Sequence, residues 1–267
     1  MPRATSRNEA VDFPLWWSDI RQSIALLTRI SHGEPSKRSM ASAMRAFPIV
    51  GVLIGLLGGL AFGLAEQIGL SAFLAAVVTT AALLWLTGCF HEDGLADTAD
   101  GIGGGMTRDA KLAIMRDSRI GTYGVAALVI ALALRIGTLV QISDFGGWST
   151  IIVVLAASGA WSRALMVVLL GTAPPARAEG LSVHAGTPSR GTLRQAALLG
   201  GLMAGFLILW CFGFWTMIVA LLASYGAFAL VRRQATKHIG GQTGDIAGAV
   251  QQASEIVFLL CIAAMVP

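Results

Sequence analysis

Residues 196–230 read AALLGGLMAGFLILWCFGFWTMIVALLASYGAFAL, 35 positions without one charged side chain. A single helix of that length would extend about 52 Å, whereas the hydrocarbon core of a bilayer is about 30 Å thick. Two spans broken at Gly213 fit a membrane; one unbroken span does not. Working outward, apolar runs of similar length recur, and the spacing predicts spans at about 47–65, 72–90, 121–142, 149–171, 196–212, 214–231 and 246–266. Of the 267 residues 55% are apolar and only 13% charged, against about 25% charged in soluble domains. Separate water-soluble domains are excluded, and the expectation is an all-α integral membrane protein of about seven transmembrane helices.

The net charge of +4 and the pI near 9.3 could suit nucleic acid, so the placement of the cations decides. Residues 1–46, 91–120, 172–195 and 232–245 hold 17 of the 19 basic residues. The connections at 66–71, 143–148 and Gly213 hold none. Cytoplasmic loops retain Lys and Arg, so this alternation predicts a cytoplasmic N-terminus, cytoplasmic basic loops and no nucleic-acid partner. It also supports the break at Gly213, because an unsplit helix would put one basic loop on the wrong side.

Before the first span, residues 12–30 place Trp16, Trp17, Ile20, Ile24 and Leu27 at helical spacing, with Asp19 and Arg21 off that stripe. This is the pattern of an amphipathic interfacial helix, and tryptophan suits that depth. Residues 1–46 thus form a cytoplasmic or interfacial segment, without the apolar core of a signal peptide, and 47–267 a single polytopic domain. Cys89, Cys211 and Cys261 stand singly in apolar surroundings, which supports neither a disulfide framework nor a zinc site. No internal repeat of the transporter kind is present, and glycines scattered through the spans permit close helix packing.

Chemistry concentrates in His91-Glu92-Asp93-Gly94-Leu95-Ala96-Asp97-Thr98-Ala99-Asp100-Gly101. On a helix Asp93, Asp97 and Asp100 fall within an arc of roughly 60°, while Glu92 points elsewhere. Like charges so arranged repel, and a hard divalent cation such as Mg²⁺ or Mn²⁺ relieves them while bridging phosphate oxygens. The alternative is an acidic, solvated loop carrying helix caps. His91 beside the acids suits a general base. The following Gly101-Ile102-Gly103-Gly104-Gly105 reads as a flexible turn whose amides could approach a diphosphate, though it is not a Walker loop. Arg116-Asp117-Ser118-Arg119 offers guanidiniums for phosphate on the same face. Within spans, Arg135 and Arg163 need partners or a polar cavity; a functional role is expected of Arg163 and ion pairing of Arg135, with Glu255 also inside a span. Gly240-Gly241-Gln242-Thr243-Gly244-Asp245 leads into the last span, where Asp245 is a helix cap or a ligand contact.

On these residues, together with Phe47-Pro48-Ile49-Val50-Gly51, the run from Ile114 to Thr122 and Ala176-Arg177-Ala178-Glu179-Gly180-Leu181, the chain resembles the cobalamin synthase family of adenosylcobinamide-GDP ribazoletransferases. The resemblance runs from about residue 28 to the C-terminus. It implies that adenosylcobinamide-GDP and α-ribazole, or its 5′-phosphate, are joined with release of GMP, with Mg²⁺ as cofactor, in a bacterial cytoplasmic membrane. A homo-oligomer or an association with other enzymes of the pathway would be compatible with it. Asp93, Asp97 and Asp100 would then hold the metal and His91 assist the attacking hydroxyl. Arg116, Asp117, Ser118, Arg163, Arg177, Glu179, Thr243 and Asp245 would contact substrate. Asp97-Thr98-Ala99-Asp100-Gly101 also looks like the opening of the CDP-alcohol phosphotransferase signature, but the Ala-Arg pair and final aspartate of that signature are missing. Lipid headgroup transfer is the enzymatic alternative, and a transporter lined by Arg135, Arg163 and Glu255 the alternative of another class.

Overall fold

A computed structural model describes residues 13–30 and 38–266, and among these the regular structure is entirely helical. Residues 1–12, the outer part of the expected N-terminal segment, lie outside the described range. Helix α1 (Phe13–Leu27), a short α2 (Met40–Ala43) and a 3₁₀ turn lead into α3 (Phe47–Gln67), which opens on Pro48 where no amide donor is needed. There follow α4 (Ala72–Thr87), α5 (Phe90–Gly104), α6 (Arg108–Ile114), α7 (Thr122–Thr172) and α8 (Leu181–Ala185). The chain ends in α9 (Arg190–Phe212), α10 (Phe214–Ile239) and α11 (Gly244–Met265).

Five of the described helices are long and apolar enough to cross a membrane, and a sixth crossing results if α4 and α5 are taken together. The 51-residue α7 is itself two limbs, because Gly146 and Gly147 leave helical geometry, Gly147 at φ +66°. The limbs fold back on one another: Arg135 from the first and Arg163 from the second both reach Glu255, which a straight helix could not allow. Gly213, at φ +84°, separates α9 from α10 where the charge alternation requires a break.

Glycine spacing dictates the central packing. Gly51, Gly55, Gly59 and Gly63 recur every fourth residue on one face of α3. They meet Gly159, Leu155, Ile152 and Trp148 of α7's second limb in antiparallel order. A Cβ on Gly55 would stand 2.2 Å from the Leu155 carbonyl oxygen, so side chains are excluded and the backbones touch.

The segment 91–120 is not a loop but α5 and α6, and residues 101–104 are helical rather than a flexible turn; Gly101 is buried against Met115 and the Lys111 carbonyl. The helix α4 ends at Thr87, where Gly88 and Cys89 both adopt left-handed conformation and turn the chain by 89° into α5. α5 carries five ionisable side chains between His91 and Asp100, and we read it as lying outside the spanning segments. The last basic segment is mostly helix, since α10 continues to Ile239. Asp19, expected on the polar face of α1, is fully buried between Arg38 (2.7 Å) and Arg45 (2.6 Å), while Trp17 is 62% exposed. Trp16 instead lies under the Arg45 guanidinium, 4.1 Å from ring centre to carbon.

Candidate active site

The segment after α7 and the junction of α10 with α11 are sewn together by backbone. The Gln242 amide donates to the Pro174 carbonyl and the Ala176 amide to the Gln242 carbonyl, each at 2.8 Å. Gly241 is required at this crossing, because a Cβ there would sit 2.0 Å from the Pro174 oxygen. Arg108 of α6 clamps both strands of the junction, donating from Nε to the Ile239 carbonyl (2.9 Å) and from Nη2 to the Ala176 carbonyl. In sequence Arg108 is one of the cations of 91–120 and nothing more.

This junction aims the start of α11. Thr243 is the helix cap, its Oγ1 accepting from the Ile246 amide at 3.2 Å and donating to Asp245 Oδ2 at 3.1 Å. The cap is therefore Thr243, and Asp245 is left to accept from Arg177 Nη2 at 3.1 Å. Helix α5 lies directly on this turn. A Cβ on Gly94 would be 2.7 Å from the Asp245 carbonyl, and one on Gly248 would be 3.0 Å from the His91 carbonyl. Two glycines thus bring the acidic face of α5 beside Asp245.

The electrostatic consequence falls on Asp97. Partial burial, then the negative fields of Asp93, Asp245 and Asp100, push its pKa up to about 7 against the opposing pull of Arg177. Asp93 is exposed on the same face. Among the described residues no three acids, histidines or cysteines are gathered tightly enough to enclose a metal by themselves. The donor set nevertheless fits Mg²⁺, which is held by one or two carboxylates and completes its octahedron with water and substrate phosphate.

Asp100 has a different task from the one expected. It is buried, and both its oxygens accept backbone amides at the start of α7, Gly121 at 2.7 Å and Gly124 at 2.8 Å. A carboxylate there satisfies amides that a helix start leaves free and answers its positive end. It also fixes α5 against α7.

His91 and Glu92 face inward, opposite Asp93, and are buried. Glu92 accepts from Arg135 (3.3 Å) and Gln252 (2.9 Å), and Arg135 donates to Gln252 and Glu255, each at 3.1 Å. Arg163 lies 3.6 Å from Glu255 and donates to the Gly159 carbonyl at 3.3 Å. So Arg163, expected at phosphate, is placed inside the bundle, just as Arg135 is. His91, expected to assist the attacking hydroxyl, lines the same small cavity as both arginines and faces away from the exposed Asp93. Gln251 and Gln252 complete this network and were not singled out in sequence. Their spacing of three and four residues from Glu255 on an apolar span was the available signal.

Of the other candidates, Arg116 and Ser118 are exposed at the end of α6 and Glu179 is exposed after Arg177. Asp117 is gripped by Arg119 (2.6 Å), whose hydrogen bonds hold its pKa down at about 2. Asp117 shares an open surface pocket with Asp100 and Tyr123.

The description cobalamin-5-phosphate synthase belongs to the family model that matches residues 19–263, which takes in α3 through all but the last two residues of α11 and every group just described. The chain belongs to this family. It is 40% identical over 92% of its length to the adenosylcobinamide-GDP ribazoletransferase of Bradyrhizobium diazoefficiens, covering 94% of that protein. It is 39% identical to the protein of the same name from Sinorhizobium medicae over 93% of this chain and 97% of the other. The Xanthobacter autotrophicus relative, likewise named, is 46% identical over 80% of this chain and 81% of its own. No solved structure is matched. As a cobalamin-5-phosphate synthase family member the chain is a transferase of cobalamin synthesis, which sets aside both the lipid headgroup and the transporter alternatives.

Proposed function

We propose that this membrane protein joins adenosylcobinamide-GDP to α-ribazole or its 5′-phosphate and releases GMP, at a Mg²⁺-dependent site formed by Asp93, Asp97 and Asp245. A ribose hydroxyl attacks the cobinamide-side phosphorus, the bond to the bridging diphosphate oxygen breaks, and the hydroxyl proton leaves to solvent. Bound Mg²⁺ supplies neutralisation of the diphosphate charge. The observation that carries the assignment of the site is the convergence of Asp97, Asp93 and Asp245 beside Arg177, from two segments that the sequence holds far apart.

Each residue then has a task. Asp93 and Asp97 present carboxylates on the open face of α5, and Asp245 adds a third from the first turn of α11. Arg177 balances Asp245 and is placed to take a phosphate oxygen when the diphosphate arrives. Asp100 sets the tilt of α5 against α7, and Thr243 fixes the start of α11. The positive-inside pattern supports a cytoplasmic orientation of this face in a bacterial inner membrane, the side on which nucleotide substrates are available.

The test is transfer by the purified chain in liposomes, with both substrates and with or without Mg²⁺, following GMP and the corrinoid product together. Equimolar appearance of both, only with the metal, is expected. GMP release without α-ribazole, or equal turnover in chelator, would contradict the proposal.

A further inference from the structure

Beside the acids lies a cavity that the proposed chemistry of phosphorus does not use. It is bounded by Leu27 of α1, Phe90 of α5, Met166 of α7, Leu181 and Ala185 of α8 and Ala247 of α11. Its volume is about 30 Å³. Every lining side chain is apolar except that of Ser182. Gly244 also lines it, one residue before Asp245, and a Cβ on Gly244 would touch Leu181 Cβ at 3.8 Å. The cavity therefore adjoins the turn that carries Asp245 yet has no ionisable group of its own.

Its cover is α8, five residues between Gly180 at φ +135° and Gly186 at φ +80°. Both conformations are ones that side chains resist, so the helix is flanked on both sides by glycine, the residue whose backbone turns most freely. α8 is also the one described helix that makes only slight contact with all the others. Arg177, bonded to Asp245, lies just ahead of the first joint.

We infer that this cavity receives the aromatic base of the ribazole substrate, with α8 as a lid that swings on Gly180 and Gly186. The inference rests on the ribazoletransferase reading of the site. A bicyclic aromatic base is flat, apolar and several times larger than the space open in the closed form, so the lid has to lift and settle back on it. Burying the base there leaves the attached ribose at the rim, on the Gly244 side, next to Asp245. Its hydroxyl then stands where the diphosphate is held. Desolvating an apolar ring rather than a polar one is the only recognition such walls offer.

The test uses the full chain in liposomes. Ala247→Leu fills the cavity from α11 without touching a charged group. It is expected to raise the KM for α-ribazole at least tenfold and leave the KM for adenosylcobinamide-GDP unchanged. Unchanged values for both, or equal rises in both, overturn the inference. Should that variant not fold, Leu181→Ala on the exposed lid decides: it should gain kcat/KM for a ribazole carrying a three-ring base relative to the natural one, and an unaltered preference overturns the lid. If the wild-type chain performs no transfer, the ribazoletransferase reading is what fails. The cavity is then judged by titrating benzimidazole, followed by its fluorescence, into the chain in nanodiscs. Saturable binding abolished in Ala247→Leu supports an aromatic site, and no saturable binding, or binding equal in the variant, refutes it.

Discussion

Asp97 shows at the scale of one residue how the site works. Burial first, then the field of Asp93 one turn earlier on its own helix and that of Asp245, brought in by α11, raise its pKa to about 7. We expect Asp93→Asn, Asp97→Asn and Asp245→Asn each to lower transfer by at least about 100-fold with the chain still folded. Asp109→Asn is the acidic control, because Asp109 is 91% exposed; Asp19, buried between two arginines, cannot serve. The sign of the pH dependence follows from Asp97. A carboxyl whose folded pKa of about 7 lies above its ordinary value near 3.8 makes the folded state hold a proton that the unfolded state has lost. That contribution is fully present below about pH 4 and lost as pH rises through about 7. Metal-free protein should therefore melt lower at pH 8 than at pH 6, and Mg²⁺ should raise the midpoint more at pH 8. Thermal midpoints in detergent at both pH values check this. The acid pair on one face of α5 was legible from spacing at 100° per residue. Asp245 was legible only as a candidate, because what joins it to α5 is the bare contact of Gly94 on Gly248, which leaves no mark in local pattern.

At the scale of the element, glycine placement decides which helices can touch. Gly55→Ala pushes a methyl group onto the Leu155 backbone and should destabilise by at least about 1 to 3 kcal/mol, the range for overpacking. Gly226→Ala enters open space on α10 and should be neutral or slightly stabilising. Denaturation midpoints of the two variants compare them directly. The stripe of glycines on α3 was present in the sequence with its fourfold spacing, so this contact could have been read. The bend at Gly88 and Cys89 could be read only in part. Glycine suits a left-handed position, but Cys89 at φ 58° is a non-glycine exception. For the same reason the span after residue 72 was drawn too long, hydropathy having no term for a turn made inside an apolar run.

Across the whole molecule, one buried network holds α5, both limbs of α7 and α11 in register. Arg135 joins Glu92 to Glu255, so Arg135→Ala leaves Glu92 without a cation and Glu255 with Arg163 alone, and should cost about 3 to 5 kcal/mol. Its effect should be loss of folded protein in a detergent melt rather than a selective rise in one KM. Sequence could say that arginines inside spans need partners, and the partners were found; it could not say that both would choose Glu255, since that depends on α7 doubling back at Gly146 and Gly147. The same hairpin keeps the basic segments on one face. A chain with its three cysteines replaced and one returned at position 109 should be labelled only from the cytoplasm, and one returned at position 69 only from outside. The central claim is that acids from α5 and α11 make one cation site at the diphosphate. Mn²⁺ titrated into the reconstituted chain with adenosylcobinamide-GDP, and read by electron paramagnetic resonance, tests it most directly. The account predicts a bound signal that is lost in Asp97→Asn and in Asp245→Asn and kept in Asp109→Asn; a signal that survives both site variants would contradict it.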